Sequence, residues 1–552
     1  MTYQDSPPKV AYFCMEYGLD ESFPIYAGGL GVLAGDTIKA ARDLNVPLTA
    51  IGMLWREGYT NQFIGDGNWP YDLFSAYETP YLQDTGVQIT VTIKGTQVPV
   101  KVWKTQAFGN APLYLLDTEV PGSDFGWITK RLYGGSGHDR IAQEIVLGIG
   151  GVRAIRALNL DIEIFHFNEG HAALAGLELI REKMEQGLSF TAAWEQTRQE
   201  IVFTTHTPVM AGNESHGHDL LRYMDAYNGL TYEQMTFIGG DPFNMTVAGL
   251  RLANLANGVS KLHGLTARAM WQDVTDHASI LAITNGVHQR TWQNEAIRAA
   301  YTAKSDLWEP HQNAKKELLN EVRTKTGVEL DPDKLLIGFA RRAAPYKRSN
   351  LIFSKPEIIG PLLEERRIQM VFSGKSHPQD HAGKNIVSSI VGMAQKYPQS
   401  VVFLENYDMR IGRLLTSGCD LWLNNPQRPL EASGTSGMKA ALNGVLNFSI
   451  LDGWWPEGCL HGVTGWQFGG GYDGPNQELH DLVELYAILL DEIISTYYND
   501  RVRWQKMMRA SIEMAAGIFT TARMLREYYN LMYLPAATAK RINALNVLPS
   551  LT

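Results

Sequence analysis

Short apolar segments alternate with helical patterns along almost the whole chain. The segment VAYFCME is followed by GVLAGDTIKAARDLN, and IEIFHFN is followed by HAALAGLELIREKMEQG. This alternation is typical of βαβ units, in which parallel strands form a sheet that helices cover. Residues 87–120 differ, because polar and apolar side chains alternate there between turn residues, which predicts an antiparallel meander. The sequence therefore predicts an α/β fold.

The length of 552 residues is too great for one ordinary core and predicts several packed units. A helical pattern over residues 311–327 ends at Gly327, and apolar strand candidates resume directly after it. We therefore predict one doubly wound domain over residues 1–330, with the meander inserted, and a second over residues 331–552. Roughly the last 35 residues have a helical pattern and are expected, by analogy of fold alone, to cross back to the first domain.

Composition argues against several classes of function. The net charge of -9 argues against a nucleic-acid platform, because phosphate backbones need a basic face. The cysteines, Cys14, Cys419 and Cys459, are too far apart for a disulfide framework or a zinc ribbon, and they fit a reducing cytoplasm. No apolar run reaches the roughly 18 residues of a membrane span, and the segments HFNEGH and SHGHD match no zinc-ligand spacing. We expect neither a membrane partner nor a metal.

Ligands of open α/β sheets bind beyond the carboxyl ends of the strands. In this sequence the positions that follow apolar segments are rich in chemically active side chains. These candidate binding residues are Glu169, His171, His206, Asn285, Arg341, Arg342, Lys347, Arg348 and Tyr407.

The glycine-rich segment YAGGLGVLAGD runs from Tyr26 to Asp36, where a helix is expected to begin. It matches the GxGxxA dinucleotide fingerprint only weakly, because the preceding strand ends about a dozen residues earlier. Backbone N–H groups at a helix start attract anions, and glycine lets an anion approach them. An anion site and a purely structural turn are both consistent with this segment.

The segment ARRAAPYKR, from Ala340 to Arg348, gathers four cations just past a strand candidate. Arginine and lysine in this position could hold two phosphate groups through bidentate and point-charge contacts. A solvated basic face is the alternative interpretation.

The segment EASGTSGMKAALNG, from Glu431 to Gly444, places Lys439 behind a loop rich in glycine and hydroxyl groups. A free lysine amine can form a Schiff base with a carbonyl compound, and the loop offers Thr435 and Ser436 to a phosphate. A solvent-facing lysine near a helix N-terminus is the alternative.

Together these segments resemble the α-glucan phosphorylases, a family that acts on glycogen, starch or maltodextrin with pyridoxal 5′-phosphate as cofactor. The family's cofactor segment has the form EASGTxxMKxxxNG, which EASGTSGMKAALNG matches. Further matching segments keep the family's order along most of the chain: GGLGVLA, FNEGHAAL, TTHTP, ITNGVHQRTW, RRAAPYKR and FLENY. The resemblance implies two Rossmann-like domains of the GT-B type, with the active site in the cleft between them.

The resemblance also implies an activity, namely reversible phosphorolysis with retention of configuration. A terminal α-1,4-linked glucose would pass from the non-reducing end of a glucan to orthophosphate, giving α-glucose 1-phosphate. Proton transfer would involve the phosphate group of the cofactor. Because the sequence offers no counterpart of the N-terminal extension that regulates larger members, we expect an unregulated, cytoplasmic short form, with a homodimer as one option for its assembly.

The family's roles carry over to three groups of positions. Those with catalytic roles are His206, Arg342, Lys347 and Lys439. Those implied to hold the cofactor are Lys439, Thr435, Ser436, Arg341, Lys347 and Tyr407. Those implied to hold the sugar or the substrate phosphate are Gly28, Gly29, Leu30, Asn285, Tyr346, Glu431, Ser433 and Gly434.

The sequence departs from the family's pattern in two places near the cofactor. Arg341 stands where larger enzymes usually carry a lysine, and Ser436 with Gly437 replaces a Gly-Asn pair. Both changes keep charge or small size, so we expect cofactor binding to survive. Two alternative functions are a nucleotide-sugar-dependent glucan synthase of the GT-B type and a catalytically silent glucan-binding protein, and Lys439 disfavours both.

Overall fold

The computed structural model describes residues 6–209 and 212–547, and these form two compact units. The first unit consists of residues 6–59, Ser75–Thr284 and 521–547. The second unit consists of Thr60–Phe74 and Asn285–Thr520. Each unit has one large sheet and its own apolar core.

The strands of the described residues are short and mostly buried. Their bounds are β1 (Val10–Phe13), β2 (Leu48–Met53), β3 (Asn61–Ile64), β4 (Pro70–Leu73), β5 (Gln83–Ile93), β6 (Thr96–Thr105), β7 (Leu113–Asp117), β8 (Ile164–Asn168), β9 (Ile201–Thr204), β10 (Ser215–His216), β11 (Phe243–Asn244), β12 (Leu255–Gly258), β13 (Ser279–Ala282), β14 (Leu335–Ala340), β15 (Ile368–Ser373), β16 (Val401–Leu404), β17 (Leu421–Asn424), β18 (Leu446–Ile450) and β19 (Gly465–Phe468).

The helices lie between these strands and after the last of them. Their bounds are α1 (Gly29–Asp43), α2 (Gly137–Ile145), α3 (Gly151–Ala157), α4 (Leu174–Glu185), α5 (Phe190–Arg198), α6 (His218–Tyr223), α7 (Tyr232–Gly239), α8 (Met245–Leu252), α9 (Lys261–Met270), α10 (Gln289–Trp292), α11 (Glu295–Thr302), α12 (Trp308–Thr326), α13 (Pro356–Glu364), α14 (His381–Lys396), α15 (Met409–Gly418), α16 (Ser436–Leu442), α17 (Trp455–Gly458), α18 (Gln477–Ile488), α19 (Ile494–Asn499), α20 (Arg501–Ile518), α21 (Thr521–Tyr528) and α22 (Leu534–Val547).

The sheet of the first unit has the strand order β13-β12-β9-β8-β1-β2-β7-β6-β5. The strands from β13 to β7 pair in parallel, whereas β5, β6 and β7 pair antiparallel. The alternating residues 87–120 thus lie in antiparallel strands at one edge of a mainly parallel sheet. The strand order reverses between β1 and β8, and the loops that follow these two strands are therefore the place to look for a ligand site.

The sheet of the second unit is wholly parallel and has the order β16-β15-β14-β17-β18-β19. This order corresponds to 3-2-1-4-5-6, the arrangement of a doubly wound Rossmann-like sheet. The near-continuous burial of β14 and β15 is typical of strands covered on both faces. The strand order reverses between β14 and β17, so the residues after Ala340 and Asn424 stand at its switch point.

The longer segment of the second unit begins at Asn285 and not near residue 330, the boundary that the sequence predicted. Residues Thr60–Phe74, which lie inside the predicted first domain, also belong to the second unit. The reason for the earlier boundary is α12, whose Lys315 donates a hydrogen bond to Asp420 at 2.7 Å beside β17. His311 of the same helix hydrogen-bonds the other oxygen of Asp420 at 2.9 Å. The helix is therefore part of the second core, although its sequence pattern alone does not say which sheet it packs on.

The chain's last helices belong to the first unit. Tyr533 hydrogen-bonds His166 at 2.6 Å, and Tyr528 accepts a hydrogen bond from Asn257 at 3.0 Å. The aromatic side chains of this segment fill space beside β8 and β12. Among residues 6–209 and 212–547, none of the helices combines the length and the apolar character that a bilayer crossing requires.

Candidate functional site

Two buried cations of the loop after β14 share one carboxylate in the second unit. Arg341 Nη2 donates a hydrogen bond to Glu431 Oε2 at 2.7 Å, and Lys347 Nζ donates to the same oxygen. The side chains of Arg341, Lys347 and Glu431 are 6%, 9% and 8% exposed. Asn424, the last residue of β17, accepts a hydrogen bond from Arg341 Nη1. The switch point of this sheet therefore carries a buried cluster of two cations and one anion.

The charge state of Glu431 follows from these neighbours. Burial alone would raise its pKa, because a charge is poorly solvated inside the protein. The positive charges of Arg341 and Lys347, with their hydrogen bonds, outweigh burial and lower the pKa of Glu431 from 4.5 to about 2. The carboxylate is ionised at neutral pH and serves both cations as a counter-ion.

The other two cations of ARRAAPYKR differ from each other. Arg348 is buried and donates hydrogen bonds to Asn425 O at 2.9 Å, Pro426 O at 2.8 Å and Asp481 Oδ2 at 2.8 Å. Arg342 is exposed. The segment is therefore not a uniformly solvated basic face, and Arg348 has a structural role that sequence reasoning missed.

The loop that leads from Glu431 into α16 approaches this cluster closely. Gly434 has φ of +81°, and a Cβ there would lie 3.2 Å from Arg341 Nη2. Ser433 Oγ is buried and has no hydrogen-bond partner among the described residues. The ring centroid of Tyr346 lies 4.5 Å from Lys347 Nζ. Glycine thus lets the backbone pass beside the guanidinium, while Ser433 keeps a free hydroxyl for a ligand.

Lys439 lies on α16 and is only 6% exposed. Its Nζ is 3.6 Å from the ring centroid of Trp292, a close contact between an amine and an aromatic face. Asn443 Nδ2 joins the two segments by donating to Trp292 O at 2.9 Å and to Lys439 O at 3.0 Å. The solvent-facing alternative for this lysine is therefore wrong.

Tyr407 lies near the same aromatic surface. A Cβ at Gly412 would lie 2.7 Å from the Tyr407 hydroxyl and 3.5 Å from the ring of Trp292. Burial, reinforced by the charge of Asp408, raises the pKa of Tyr407 to about 12. Its hydroxyl is protonated at neutral pH and can donate a hydrogen bond.

Three further predicted residues belong to this unit: Thr435 and Ser436, in the segment 431–444, and Asn285. Thr435 precedes the first turn of α16, and its carbonyl accepts a hydrogen bond from Lys439 N at 3.2 Å. Ser436 Oγ accepts a hydrogen bond from Trp422 Nε1 at 3.3 Å. Asn285 begins the longer segment of the unit and is 3% exposed. Thr435 and Ser436 place hydroxyl groups in the same segment as Lys439.

The glycine loop of the first unit already holds a carboxylate. Glu16 Oε2 accepts hydrogen bonds from the N–H groups of Ala27 at 2.6 Å and Gly28 at 3.1 Å, and Glu16 Oε1 accepts one from Tyr133 at 2.6 Å. A Cβ at Gly28 or Gly29 would have no atom within 4 Å. Helix α1 starts at Gly29, so its first N–H groups have no partner within the helix. The loop has the chemistry and the open backbone of an anion site.

His206 follows β9 and is held by side chains that follow β8. Its Nε2 lies 2.6 Å from Asn168 Oδ1, and its backbone N–H donates to Glu169 Oε2 at 2.8 Å. Since an amide oxygen only accepts, Nε2 carries the proton and Nδ1 keeps a lone pair. Burial lowers the pKa of His206 to about 3. The imidazole is therefore neutral and suited to hydrogen bonding.

The structure brings some of the predicted residues of the second unit together. Arg341, Lys347 and Glu431 are in direct contact, and Lys439 and Tyr407 share one aromatic neighbour. In the first unit the predicted residues have separate partners: Gly28 contacts Glu16, and His206 contacts Glu169. Leu30 lies in the first turn of α1. Sequence reasoning missed four supporting residues: Glu16, Asn168, Trp292 and Asn424. The rule that ligands bind beyond strand ends could have found Glu16, Asn168 and Asn424.

Comparisons with known proteins show the family to which the chain belongs. Residues 295–455 match the family model described as carbohydrate phosphorylase. The chain is 39% identical to a maltodextrin phosphorylase of Thermococcus litoralis, over 95% of this chain and 70% of that protein. It is 37% identical to a glycogen phosphorylase of Mycobacterium tuberculosis, over 98% of this chain and 72% of that protein. A glycogen phosphorylase of Aquifex aeolicus is 33% identical, over 96% of this chain and 87% of that protein. The chain therefore belongs to the carbohydrate phosphorylase family of glycosyltransferases.

Proposed function

We propose that this protein catalyses the reversible, retaining phosphorolysis of α-1,4-glucans with pyridoxal 5′-phosphate as cofactor. The substrates are a glucan and orthophosphate, and the product is α-glucose 1-phosphate. The observation that carries the proposal is the pair of buried cations, Arg341 and Lys347, on one carboxylate in the same unit as the buried Lys439. Buried cations beside hydroxyl groups suit the binding of phosphate. The two doubly wound units further support a fold of the GT-B type.

The residues around Lys439 fit pyridoxal phosphate. The buried amine of Lys439 is the group that would hold the cofactor covalently, and the Trp292 face beside it offers a flat apolar surface. Ser433 has a buried hydroxyl without a partner among the described residues, and Thr435 and Ser436 stand in the same loop. When bound, the cofactor would supply a phosphate group able to exchange a proton with orthophosphate.

Cations and backbone groups of this chain would bind the phosphates. Arg341 would face the phosphate of the cofactor, while Arg342 and Lys347 would grip orthophosphate. Lys347 would serve both. The exposure of Arg342 leaves its guanidinium accessible to a substrate. In the first unit, the N–H groups of Gly29 and Leu30 at the start of α1 would add dipolar attraction for an anion.

Uncharged polar groups, together with the ionised carboxylate of Glu431, would hold the glucosyl residue. The groups that would bind sugar hydroxyls are those of Asn285, Glu431, Ser433 and Gly434. The aromatic rings of Tyr346 and Tyr407 would lie beside the sugar and the cofactor. His206 would act as a neutral hydrogen-bonding group, because burial keeps its pKa at about 3. In the reaction the glycosidic bond breaks, a phosphate oxygen bonds to the anomeric carbon, and the departing glucan oxygen receives a proton.

A hydrolytic reaction is disfavoured by the carboxylates of the second unit. A retaining glycosidase needs two accessible carboxyl groups about 5 Å apart, one of them a nucleophile. Glu431 is held by two cations, and the oxygens of Asp452 accept hydrogen bonds from the N–H groups of Glu431 and Gly453. Neither carboxylate is placed to attack a sugar.

The proposal is tested by incubating the purified protein with maltoheptaose and following phosphorus NMR signals. With orthophosphate we expect α-glucose 1-phosphate and a glucan shorter by one residue, and without orthophosphate we expect no reaction. Glucan extension from a nucleotide sugar, without any glucose 1-phosphate from orthophosphate, would overturn the proposal in favour of a synthase. Binding of the glucan with neither reaction would indicate a catalytically silent protein.

A further inference from the structure

Residues 452–454 follow β18 and hold the segment 431–433 at two points, while a third hydrogen bond stabilises their own turn. Asp452 Oδ2 accepts a hydrogen bond from the backbone N–H of Glu431 at 2.9 Å. Asp452 Oδ1 accepts one from the N–H of Gly453 at 2.8 Å. The N–H of Trp454 donates to Ser433 O at 3.0 Å. One short turn thereby fixes the backbone on both sides of Ala432.

The fit between these two segments is close. Gly453 has φ of +58°, and a Cβ there would lie 2.2 Å from Ser433 O and 3.1 Å from Glu431 Cγ. A side chain at position 453 would therefore displace the very residue whose carboxylate binds Arg341 and Lys347. The turn has little freedom to move without moving Glu431.

From these contacts we infer that Asp452 is a positioning residue, which fixes the backbone of Glu431 so that its carboxylate meets Arg341 and Lys347. This inference rests on the proposed function, in which these three side chains bind sugar and phosphate. Asp452 is fully buried and is not expected to touch either substrate. Its effect on the reaction would pass through Glu431.

The choice of aspartate at this position supports a positioning role. Asp452 forms no ion pair with the described residues, and the charged groups acting on it are Glu431 and Arg428. Burial raises the pKa of Asp452 to about 7. The negative charge of Glu431 adds to this increase, whereas the hydrogen bond from the Glu431 N–H opposes it. An asparagine would avoid the cost of burying a charge, but its amide nitrogen would face one of the two N–H donors. Only a carboxylate can accept from both with its two oxygens.

The test is a double-mutant cycle on kcat/KM for phosphorolysis, with Asp452→Asn, Glu431→Gln and the double variant. We expect Asp452→Asn to lower kcat/KM by about 10- to 100-fold, the usual result of a small misplacement of a reacting or binding group. In the Glu431→Gln background the same change should have little further effect, because the group that Asp452 positions is already altered. Asp500→Asn is the matched control, since Asp500 accepts a backbone N–H from Arg503 at 2.9 Å at the start of α20, and it should leave kcat/KM unchanged.

Multiplicative losses in the double variant would overturn the inference, because they would mean that Asp452 acts independently of Glu431. Wild-type activity in a folded Asp452→Asn protein would overturn it as well. If Asp452→Asn does not fold, the same cycle with Gly453→Ala replaces it, since the added methyl group presses on Ser433 without changing any charge. A wild-type protein that makes no glucose 1-phosphate would instead refute the proposed function.

Discussion

Replacing Glu431 with glutamine would remove the one negative charge that contacts Arg341 and Lys347 among residues 6–209 and 212–547. The carboxylate is 8% exposed and the two cations are 6% and 9% exposed, so water cannot replace the lost partner. The side chain keeps its size, and its amide can still accept one hydrogen bond. The two cations would remain buried and would repel each other.

The expected loss of stability follows from the pKa of Glu431, which the folded protein lowers from 4.5 to about 2. Each pKa unit corresponds to about 1.4 kcal/mol, so the carboxylate contributes on the order of 3 kcal/mol at neutral pH. Breaking a buried ion pair typically costs about 3–5 kcal/mol, which is consistent. Because the folded pKa is the lower one, this contribution is present above the unfolded pKa and is lost as the pH falls from 4.5 towards 2.

The assay is urea unfolding of the wild type and Glu431→Gln at neutral and at acid pH. We expect the difference in free energy of unfolding to be about 3 kcal/mol near pH 7 and to shrink below about pH 4. Orthophosphate should restore part of the loss, since in the proposed function it supplies a new anion to Lys347. The control is Glu321→Gln, because Glu321 is held by Arg410 at the surface at 2.6 and 2.7 Å and should cost about 1 kcal/mol or less. Equal losses for the two variants, or a difference that persists unchanged in acid, would refute the reasoning.

Three further predictions follow from the same structure. Arg342→Ala should raise the KM for orthophosphate far more than the KM for glucan in steady-state kinetics, and equal increases would count against a phosphate contact. Gly434→Ala should lower the free energy of unfolding by about 1–3 kcal/mol in urea and also reduce activity, because the new Cβ would lie 3.2 Å from Arg341. The control is Gly95→Ala, which has φ of +70° and no atom within 4 Å of its Cβ. It should lower stability but leave activity unchanged. Since burial lowers the pKa of His166 to about 3, the free energy of unfolding should fall as the pH drops below about 6.5, and His166 should contribute up to roughly 1.4 kcal/mol per pH unit to this fall. His166→Asn should reduce the slope by that contribution, while other buried histidines such as His206 keep theirs.

The parts of the fold predicted from sequence were those encoded by local patterns. The continuous apolar residues of β14 and the alternation of polar and apolar residues in β5 and β6 can be seen within a few consecutive positions. The α/β class and the antiparallel strands could therefore be predicted. The unit boundary at Asn285 could not, because α12 packs on the second sheet through Lys315 and Asp420, which are far apart in sequence. A helical pattern gives the face that is buried but not the sheet that covers it.

The candidate site divides in the same way. The spacing in EASGTSGMK makes Lys439 only a candidate covalent amine, and the family resemblance adds its cofactor role. Its contact with Trp292 depends on two segments that are distant in sequence. In ARRAAPYKR, no local sequence feature predicts that Arg342 is exposed while Arg348 is buried and donates hydrogen bonds to three acceptors. The pairing of Glu431 with both Arg341 and Lys347 likewise requires the fold. Sequence patterns thus indicate candidate reactive groups, whereas the partners and charge states of these groups require the structure.

Whether Lys439 carries pyridoxal phosphate, as we propose, can be measured by borohydride reduction of the purified protein, followed by proteolysis and mass spectrometry of the peptides. We expect one pyridoxyl phosphate group per chain, on the peptide that contains Lys439, and none in Lys439→Ala. Label on a different lysine, or an unlabelled protein that still forms glucose 1-phosphate from glucan and orthophosphate, would contradict the proposal.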